Sequence, residues 1–510
     1  MKADPPPSHH SPLDIAFAAI FLLVAAVLSW KPLSDVDLGW HLAGGLWMLD
    51  SSSIVRTDPF SAEAAPWISY SWAFEIVIAQ LYRLGGFQLL QIAQSICILM
   101  LMLSLIELLW AARVRALDCV PPSAQRVCCE ALALGFGTLL TAPIWHLRPQ
   151  LVSCVFFAYL LALRERNRLT AVRMLVLTVV WANVHVYWPL VPAVLALESL
   201  APAPFPVRLR RIGLSAACVA AAIVATPYGF DTVSVLFEYA FSHGTAYELI
   251  YEFQPLSAKL WLMSGLVIVL VFLLVVTLRT VAKSETPGAL LLLLALLGAG
   301  VRRIKFIPLL GVSSIPTLSE AILPSLVGRG CQANDDKLKH PASPRELRRL
   351  VIASVALIVV AIATIRPAPP LPEKYETLLD LVGNLHIAKE NAPLEPSIIL
   401  NDFNDGGWLA LAIYLRGDAT PQFRTSIDGR TLVQGAERLQ QYRVFQTLGT
   451  GWEAVIEDWQ PNLAILPSGA RHVQELSTTF SARKEALIYR DWTLLSFPGR
   501  SPQAESAAQR

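Results

Sequence analysis

Charge is what this sequence has least of. Of its 510 residues, 16% are Asp, Glu, Lys or Arg and 54% are hydrophobic, whereas a soluble domain carries about 25% charged residues. With a mean hydropathy of +0.50, a water-soluble enzyme could not hide this much apolar surface, so the chain reads as an integral membrane protein. The net charge of +2 is too small for the clustered basic face of a nucleic-acid binder. Cysteine is sparse and unpatterned. Cys97, Cys119, Cys128, Cys129, Cys154, Cys218 and Cys331 include no second pair at zinc-type spacing. They read as free thiols packed among helices, not as a disulfide framework or a metal site. No convincing internal repeat is present, which speaks against the two matching halves of many transporters.

What the chain does have is long apolar runs. A bilayer crossing takes about 20 residues, or slightly fewer where helices pack together. Eleven candidate spans follow: 13–30, 87–111, 130–146, 151–164, 170–187, 188–204, 212–228, 259–279, 287–301, 304–323 and 350–366. The first is followed by Trp30-Lys31-Pro32, not by a small-residue cleavage site, so it reads as a retained helix. Basic loops alternate with the spans: Arg113, Arg115 and Arg126; Arg164, Arg166 and Arg168; Arg208, Arg210 and Arg211; Arg279 and Lys283; then Arg329 through Arg349. The positive-inside rule makes this side cytoplasmic. The N-terminus is then inside and everything after residue 367 outside.

The opposite face collects Asp35, Asp37, Asp58, Arg148, Asn183, His185, Asp231, Glu248 and Glu252, together with Arg302, Arg303 and Lys305 at a helix end. Ionisable groups at membrane depth are costly and mark functional sites by default. The first outer loop, about 31–86, is too long for a simple connection. In it Leu38, Leu42, Leu46 and Leu49 recur at helical spacing, as in a helix lying in the interface plane. Trp72 to Leu84 is a second amphipathic stretch.

Beyond a proline-rich hinge at Pro367 to Pro372, the pattern changes to a small soluble α/β domain over 367–498, with a polar tail at 499–510. Ser397-Ile-Ile-Leu400, Phe423 to Ile427 and Leu463 to Leu466 read as buried strands. Helical patterns at 406–416, 431–447 and 451–459 separate them, which implies parallel pairing. Ala486 to Tyr489 and Thr493 to Phe497 make a closing hairpin.

The most informative octet is Ser34-Asp35-Val36-Asp37-Leu38-Gly39-Trp40-His41. In extended backbone the two carboxylates share a face. In a helix starting near Asp35, Asp37 and His41 share one instead. Either arrangement tunes a carboxylate for base work. The structural alternative is that Ser34 caps the helix and Asp37 completes a Ser-x-x-Asp box. Arg148, between two short spans, binds an anion or snorkels to headgroups. Asn183 and His185 bind substrate or hydrogen-bond a neighbouring helix. Arg302, Arg303 and Lys305 violate the topology rule, and a phosphate partner would explain them. Asn401-Asp402-Phe403-Asn404-Asp405-Gly406-Gly407 and Asp428-Gly429-Arg430 follow strands, where they bind a sugar or anion or simply cap and turn.

In this order the segments resemble a family of bacterial multi-spanning proteins in the GT-C glycosyltransferase class. The outer-loop pattern Asp-Pro-Asp-Leu-Gly-Trp-His-Leu is matched by Asp35 to Leu42. Similar pieces are Thr57-Asp58-Pro59-Phe60-Ser61, Leu81 to Gly86, Arg148-Pro149-Gln150, Trp181 to His185, Pro227-Tyr228-Gly229, Phe306 to Leu309, Asn401-Asp402 and Ile427 to Arg430. Val36 stands where the pattern has proline. Tyr70-Ser71-Trp72 replaces a frequent His-Glu-Trp, leaving Glu75 as the nearest carboxylate, and Val186 replaces a frequent glycine.

The resemblance implies a polytopic α-helical membrane protein of the bacterial cytoplasmic membrane, residues 1–366, with a C-terminal soluble α/β domain on the periplasmic or extracellular side. It implies an inverting transferase that moves a sugar from a polyprenyl-phosphate carrier to a glycan, lipid or protein acceptor. Asp35 or Asp37 would be the base. Arg148, Arg302 and Arg303 would meet the lipid phosphate, with His41, Glu75, Asn183, His185 and Lys305 as further substrate-binding residues. No cofactor is indicated, and a divalent metal at Asp-x-Asp is left open. The rival readings are a flippase for lipid-linked sugars and a non-catalytic envelope-assembly subunit. The orientation is testable: in intact cells, tags or protease sites placed within 367–510 are expected to be reached from outside, and cytoplasmic protection of that segment overturns the topology.

Overall fold

A computed structural model describes residues 12–116, 124–241, 250–256, 287–327, 368–385, 396–417, 422–489 and 491–497. The expected spans 259–279 and 350–366 lie outside these residues, as do Glu248, Arg279, Lys283, the Arg329–Arg349 loop, Pro367 and the tail 499–510. The other nine expected spans fall on helices. The chain divides into two compact units. One comprises Met1–Lys31, Gln91–Gly229 and Glu252–Ala368, the other Pro32–Leu90, Phe230–Tyr251 and Pro369–Arg510.

The first unit is helical. Pro12–Ser29 opens with proline at its first position, where the missing N–H costs nothing, and ends before Pro32. It is one of two described helices long and apolar enough to cross a membrane, with Trp72–Ala112 the other. Shorter apolar helices include Ala171–Val184, Leu190–Ser199 and Gly288–Arg302. Several spans differ in extent from expectation. The 130–146 run becomes Ala124–Thr141 followed by a 3-10 turn at Ala142–Ile144. The 170–187 run stops at Val184, where His185 turns extended (φ −165°, ψ 154°). The 212–228 run starts earlier, at Phe205, because Pro204 and Pro206 suit a helix start.

The helix Trp72–Ala116 combines the expected amphipathic stretch and the following span. The two pieces meet at Gly85-Gly86, where Gly86 takes φ 62° and ψ −156°, a conformation that side chains with a Cβ rarely adopt. The boundary between the units falls just beyond this break, at Leu90/Gln91.

The second unit is built on a five-stranded sheet of β1 (Ser397–Asn401), β2 (Phe423–Thr425), β3 (Leu463–Pro467), β4 (Arg483–Ile488) and β5 (Trp492–Ser496), in the order β2-β1-β3-β5-β4. β1 lies parallel to both β2 and β3. β5 runs antiparallel to β3 and to β4. The strands sit on the apolar runs read from sequence, and the crossover helices Gly406–Leu415, Thr431–Thr447 and Trp452–Trp459 on the helical patterns between them. Helices Glu373–Gly383 and Arg471–Thr479 were not foreseen. One core of the sheet packs Leu400, Ala464 and Leu495 under Tyr442, Phe445, Ile456 and Trp459.

The unit boundary at Ala368/Pro369 falls two residues from the expected division at 366/367. The second unit differs from the expected domain in also holding Pro32–Leu90 and Phe230–Tyr251. The reason is direct bonding. Thr425 donates its N–H to Phe60 O (3.0 Å), and Ala62 donates to Thr425 O (2.9 Å), so the first loop runs along the edge strand β2.

Close backbone approaches make two glycines sensitive. A Cβ at Gly45 would lie 2.0 Å from Glu75 O, and one at Gly406 would lie 2.0 Å from Ile427 O, whereas Gly213 faces open space. Gly45→Ala and Gly406→Ala are each expected to lower stability by about 1–3 kcal/mol through overpacking. Gly213→Ala, in a helix interior, is expected to be neutral or stabilising. Thermal unfolding of the full chain in detergent checks the contrast.

Candidate active site

The Ser34–His41 octet belongs to the second unit. Its helix, Leu38–Ser51, starts later than a Ser34 cap requires. Asp37 occupies the N-cap position with helical dihedrals (φ −86°, ψ −19°) and no side-chain cap bond. The Ser34 capping-box reading is therefore corrected: the chain before Asp37 is held by other bonds. Asp35 is buried, its Oδ1 accepting the Asp37 N–H (2.9 Å) and its carbonyl the Trp408 indole N–H (2.9 Å). Asp37 is only half-buried. Its Oδ1 accepts the Trp40 indole N–H (3.1 Å) and lies against Gly429, where a Cβ would come within 2.7 Å of that oxygen. Of the two carboxylates, Asp37 is the more open.

His41 is met by a carboxylate from another helix. Its Nδ1 lies 3.0 Å from Glu75 Oε1, and Ser69 donates its hydroxyl to Glu75 Oε2 at 2.7 Å. His41 and Glu75 are both buried, and the imidazole lies between the rings of Trp40 and Phe74. Glu75, placed by sequence as the carboxylate nearest a substituted motif, is the residue that orients His41. Beside this pair the hydroxyls of Tyr70 and Tyr239 meet at 3.0 Å. Burial pushes both phenols up, Tyr239 to about 12, and the Asp37 charge adds to the rise at each. Neutral phenols thus stand near the open carboxylate, where they can donate hydrogen bonds.

Ion pairing in this unit centres on Arg430. Its guanidinium donates to Asp58 Oδ1 (2.8 Å) and Oδ2 (3.0 Å), and to Asp428 at 2.5–3.1 Å. Both carboxylate side chains are fully buried. Asp58 also accepts the N–H groups of Phe60 and Ser61, and the Trp67 ring lies 4.4 Å from the guanidinium. Burial alone would lower the Arg430 pKa, but Asp428 and Asp58 together push it above its ordinary value. Neither Asp58 nor Asp428-Gly429-Arg430 revealed this partnership from sequence, because hundreds of residues separate them.

The Asn401–Gly407 turn is likewise engaged internally. Asn401 donates to Ile427 O (2.7 Å) and accepts the Ser426 N–H (3.0 Å). Asp402 accepts the Tyr442 hydroxyl (2.9 Å). Asp405, raised by burial, pairs with Lys374 at 2.5 Å. The Asn404 N–H on Asp402 Oδ1 (2.9 Å) makes the turn, but the capping half of the expectation is corrected: Asp405, at the N-cap of Gly406–Leu415, makes no side-chain cap bond.

Arg148, Asn183, His185, Arg302, Arg303 and Lys305 lie in the first unit. Pro149 opens the helix Pro149–Glu165 and keeps the preceding Arg148 extended (φ −141°, ψ 157°). Arg148 Nη1 lies 2.5 Å from Glu252 Oε1. Gln150 donates to the Tyr187 hydroxyl (3.3 Å) and to Lys305 O (3.1 Å). Lys305 places its ammonium 3.9 Å from the Phe253 ring centroid. Ser153 Oγ accepts the Trp181 indole N–H (2.8 Å) and meets His185 Nδ1 (2.7 Å). Arg148, Gln150, Tyr187, Glu252, Phe253 and Lys305 are thus linked around one end of the helical unit. Arg303 is buried and Arg302 exposed, so the two neighbouring cations face different surroundings. Asn183 donates to Val179 O (2.8 Å) and Ala225 O (3.3 Å), a helix-to-helix bond. The sequence reading placed Glu252 on the outer face but did not pair it with Arg148.

Among the described residues, no group of three or more His, Cys, Asp or Glu is placed to hold a metal ion.

Asp58→Ala leaves Arg430 buried with half its counter-charge and is expected to cost about 3–5 kcal/mol. Asp58→Asn, which keeps the shape and an acceptor, is expected to cost less. Denaturation midpoints of the full-length variants measure the difference.

No protein-family model matches the chain, and no curated protein does. Among solved structures the chain is similar to ArnT from Cupriavidus metallidurans, crystallised in the apo state. The identity is 15% and the TM-score 0.46, over 96% of this chain and 98% of that one.

Proposed function

We propose that this protein is an inverting glycosyltransferase of the bacterial cytoplasmic membrane, moving a sugar from a polyprenyl-phosphate carrier to a glycan, lipid or protein acceptor at the outer face. The reading starts from the ordered motifs of the sequence, and the single observation that carries it further is Asp37. This carboxylate is half-exposed at a helix start, oriented through one oxygen by Trp40, and accompanied by the neutral Tyr70 and Tyr239 hydroxyls. An oriented carboxylate that keeps access to solvent suits a general base.

In the proposed reaction the Asp37 carboxylate takes the proton of the acceptor hydroxyl. The acceptor oxygen attacks the anomeric carbon from the face opposite the phosphate. The glycosidic C–O bond to the carrier breaks, and its electron pair leaves on the lipid phosphate. Asp35, whose carboxylate holds the Asp37 N–H, positions the base. Arg148, Arg303 and Lys305 supply cationic groups for the leaving phosphate, with Arg302 beside them in sequence. Such groups act most strongly where water is scarce. His185 and Asn183 shape the same helical unit, while Glu75 acts through His41. In this reading residues 367–498 face the periplasm or cell exterior and the N-terminus faces the cytoplasm.

The test uses purified full-length protein in detergent with a polyprenyl-phosphate sugar and candidate acceptors, read by mass spectrometry. Transfer in micelles is expected for the natural chain, and a flippase would form no new bond there. Asp37→Asn is expected to lose about 10²–10⁴-fold in rate, the usual contribution of a general base, while Asp35→Asn loses less. An Asp37→Asn protein as active as the natural chain refutes the assignment.

A further inference from the structure

We propose that His41 is a positioning residue for the transfer reaction: held by Glu75, its ring fixes the Trp40 indole and, through that indole, the aim of the Asp37 carboxylate. The inference rests on the reading of Asp37 as the general base. It starts from spacing. Asp37, Trp40, His41 and Gly44 stand at i, i+3, i+4 and i+7, on one face of the helix Leu38–Ser51. Three of them touch in series. The Trp40 indole N–H donates to Asp37 Oδ1 (3.1 Å), and the Trp40 and His41 rings lie with centroids 3.6 Å apart and planes inclined by 32°.

Glu75 reaches His41 because two glycines let its helix come close. A Cβ at Gly44 would lie 3.2 Å from Glu75 Oε2, and one at Gly45 2.0 Å from the Glu75 carbonyl oxygen. Glu75 Oε1 lies 3.0 Å from His41 Nδ1, while Oε2 accepts the Ser69 hydroxyl at 2.7 Å. Ser69, Glu75 and His41 are all buried, where a broken hydrogen bond is costly because water does not replace it. The Phe74 ring, edge-on at 5.7 Å, packs against the imidazole as well.

The indole has walls of two kinds. A Cβ at Gly407 would lie 2.9 Å from Trp40 Cδ1, and one at Gly429 would lie 3.6 Å from Trp40 Nε1 and 2.7 Å from Asp37 Oδ1. Those walls are main chain. The wall at the ring face is the imidazole, a side chain with rotamers of its own, and the bond to Glu75 selects one of them. A fixed imidazole keeps the indole N–H on Asp37 Oδ1; a loose one lets the indole rock and the carboxylate turn with it. Reaction rate depends steeply on such aim, since a displacement of about 1 Å can cost about 10²-fold. His41 and Glu75 touch neither substrate in this scheme and act on kcat through Trp40.

Two measurements on the full chain in detergent test the proposal. The first needs no substrate: fluorine NMR of protein labelled with 5-fluorotryptophan, the Trp40 signal being identified by its loss in Trp40→Phe. Glu75→Leu is expected to shift or broaden that signal. Glu75→Gln, which keeps the length and an acceptor for His41, is expected to leave it in place. The second is the transfer assay. Glu75→Leu is expected to lower kcat about tenfold, less than a full 1 Å displacement would cost, with KM little changed. Glu75→Gln is expected to restore most of the rate. Trp40→Phe keeps a ring against His41 but offers Asp37 no N–H, so in that background Glu75→Leu is expected to cost nothing further. His41→Gln, which can bond Glu75 but brings no ring, carries the same cycle where Glu75→Leu does not fold. A Trp40 signal unmoved by these variants, or rate losses that simply add to that of Trp40→Phe, overturns the proposal and leaves Glu75 and His41 as packing residues. If the signal moves while Asp37→Asn transfers sugar as fast as the natural chain, the reading of Asp37 as base has failed and the coupling of His41 to Trp40 has not.

Discussion

The second unit depends on one buried guanidinium. Arg430 holds Asp58 from the first loop and Asp428 from the turn after β2, and its face is covered by Trp67. Taking three charges out of water is costly, and the arrangement is stable only because the hydrogen bonds around it are nearly complete. Asp58 accepts two backbone N–H groups in addition to the guanidinium, and Asp428 accepts the Arg430 N–H. This clasp joins the first loop to the end of β2. With it come the backbone bonds to Thr425 and the seating of Asp37 against Gly429. The proposed base is therefore positioned by residues from both ends of the chain.

Charge is handled differently in the helical unit. There Arg148 meets a carboxylate, while Lys305 lies against the rings of Phe253 and Phe306. Hydrogen bonds to Lys305 O and the Tyr187 hydroxyl connect Gln150 to the same region. A clasp such as Arg430 is closed, with side chains almost wholly removed from solvent. The Arg148 contact keeps one partner accessible.

Local pattern made much of the architecture legible. Apolar runs located nine helices and short apolar runs the strands, because both signals arise within a few residues of sequence. Helix ends were less legible: Pro149 and the Pro204-Phe205-Pro206 segment set starts that hydropathy alone placed differently. The site was legible as residue types and illegible as partnerships. Asp37 was named, but its bond to the Trp40 indole was not. Glu75 was named only as a neighbour of a substituted motif, and its bond to His41 spans 34 positions. The Asp58–Arg430 pair spans 372 positions, a distance over which a single sequence carries no periodic signal.

The strip of first-loop backbone along β2 has a consequence for synthesis. Phe60 must wait for Thr425, 365 residues later, and at 5–20 residues per second that is roughly 20–70 s of translation. Through that interval Asp58 lacks its arginine and the loop lacks its strand. The unit can close only after Thr425 has been made, so this early segment waits long to find its place.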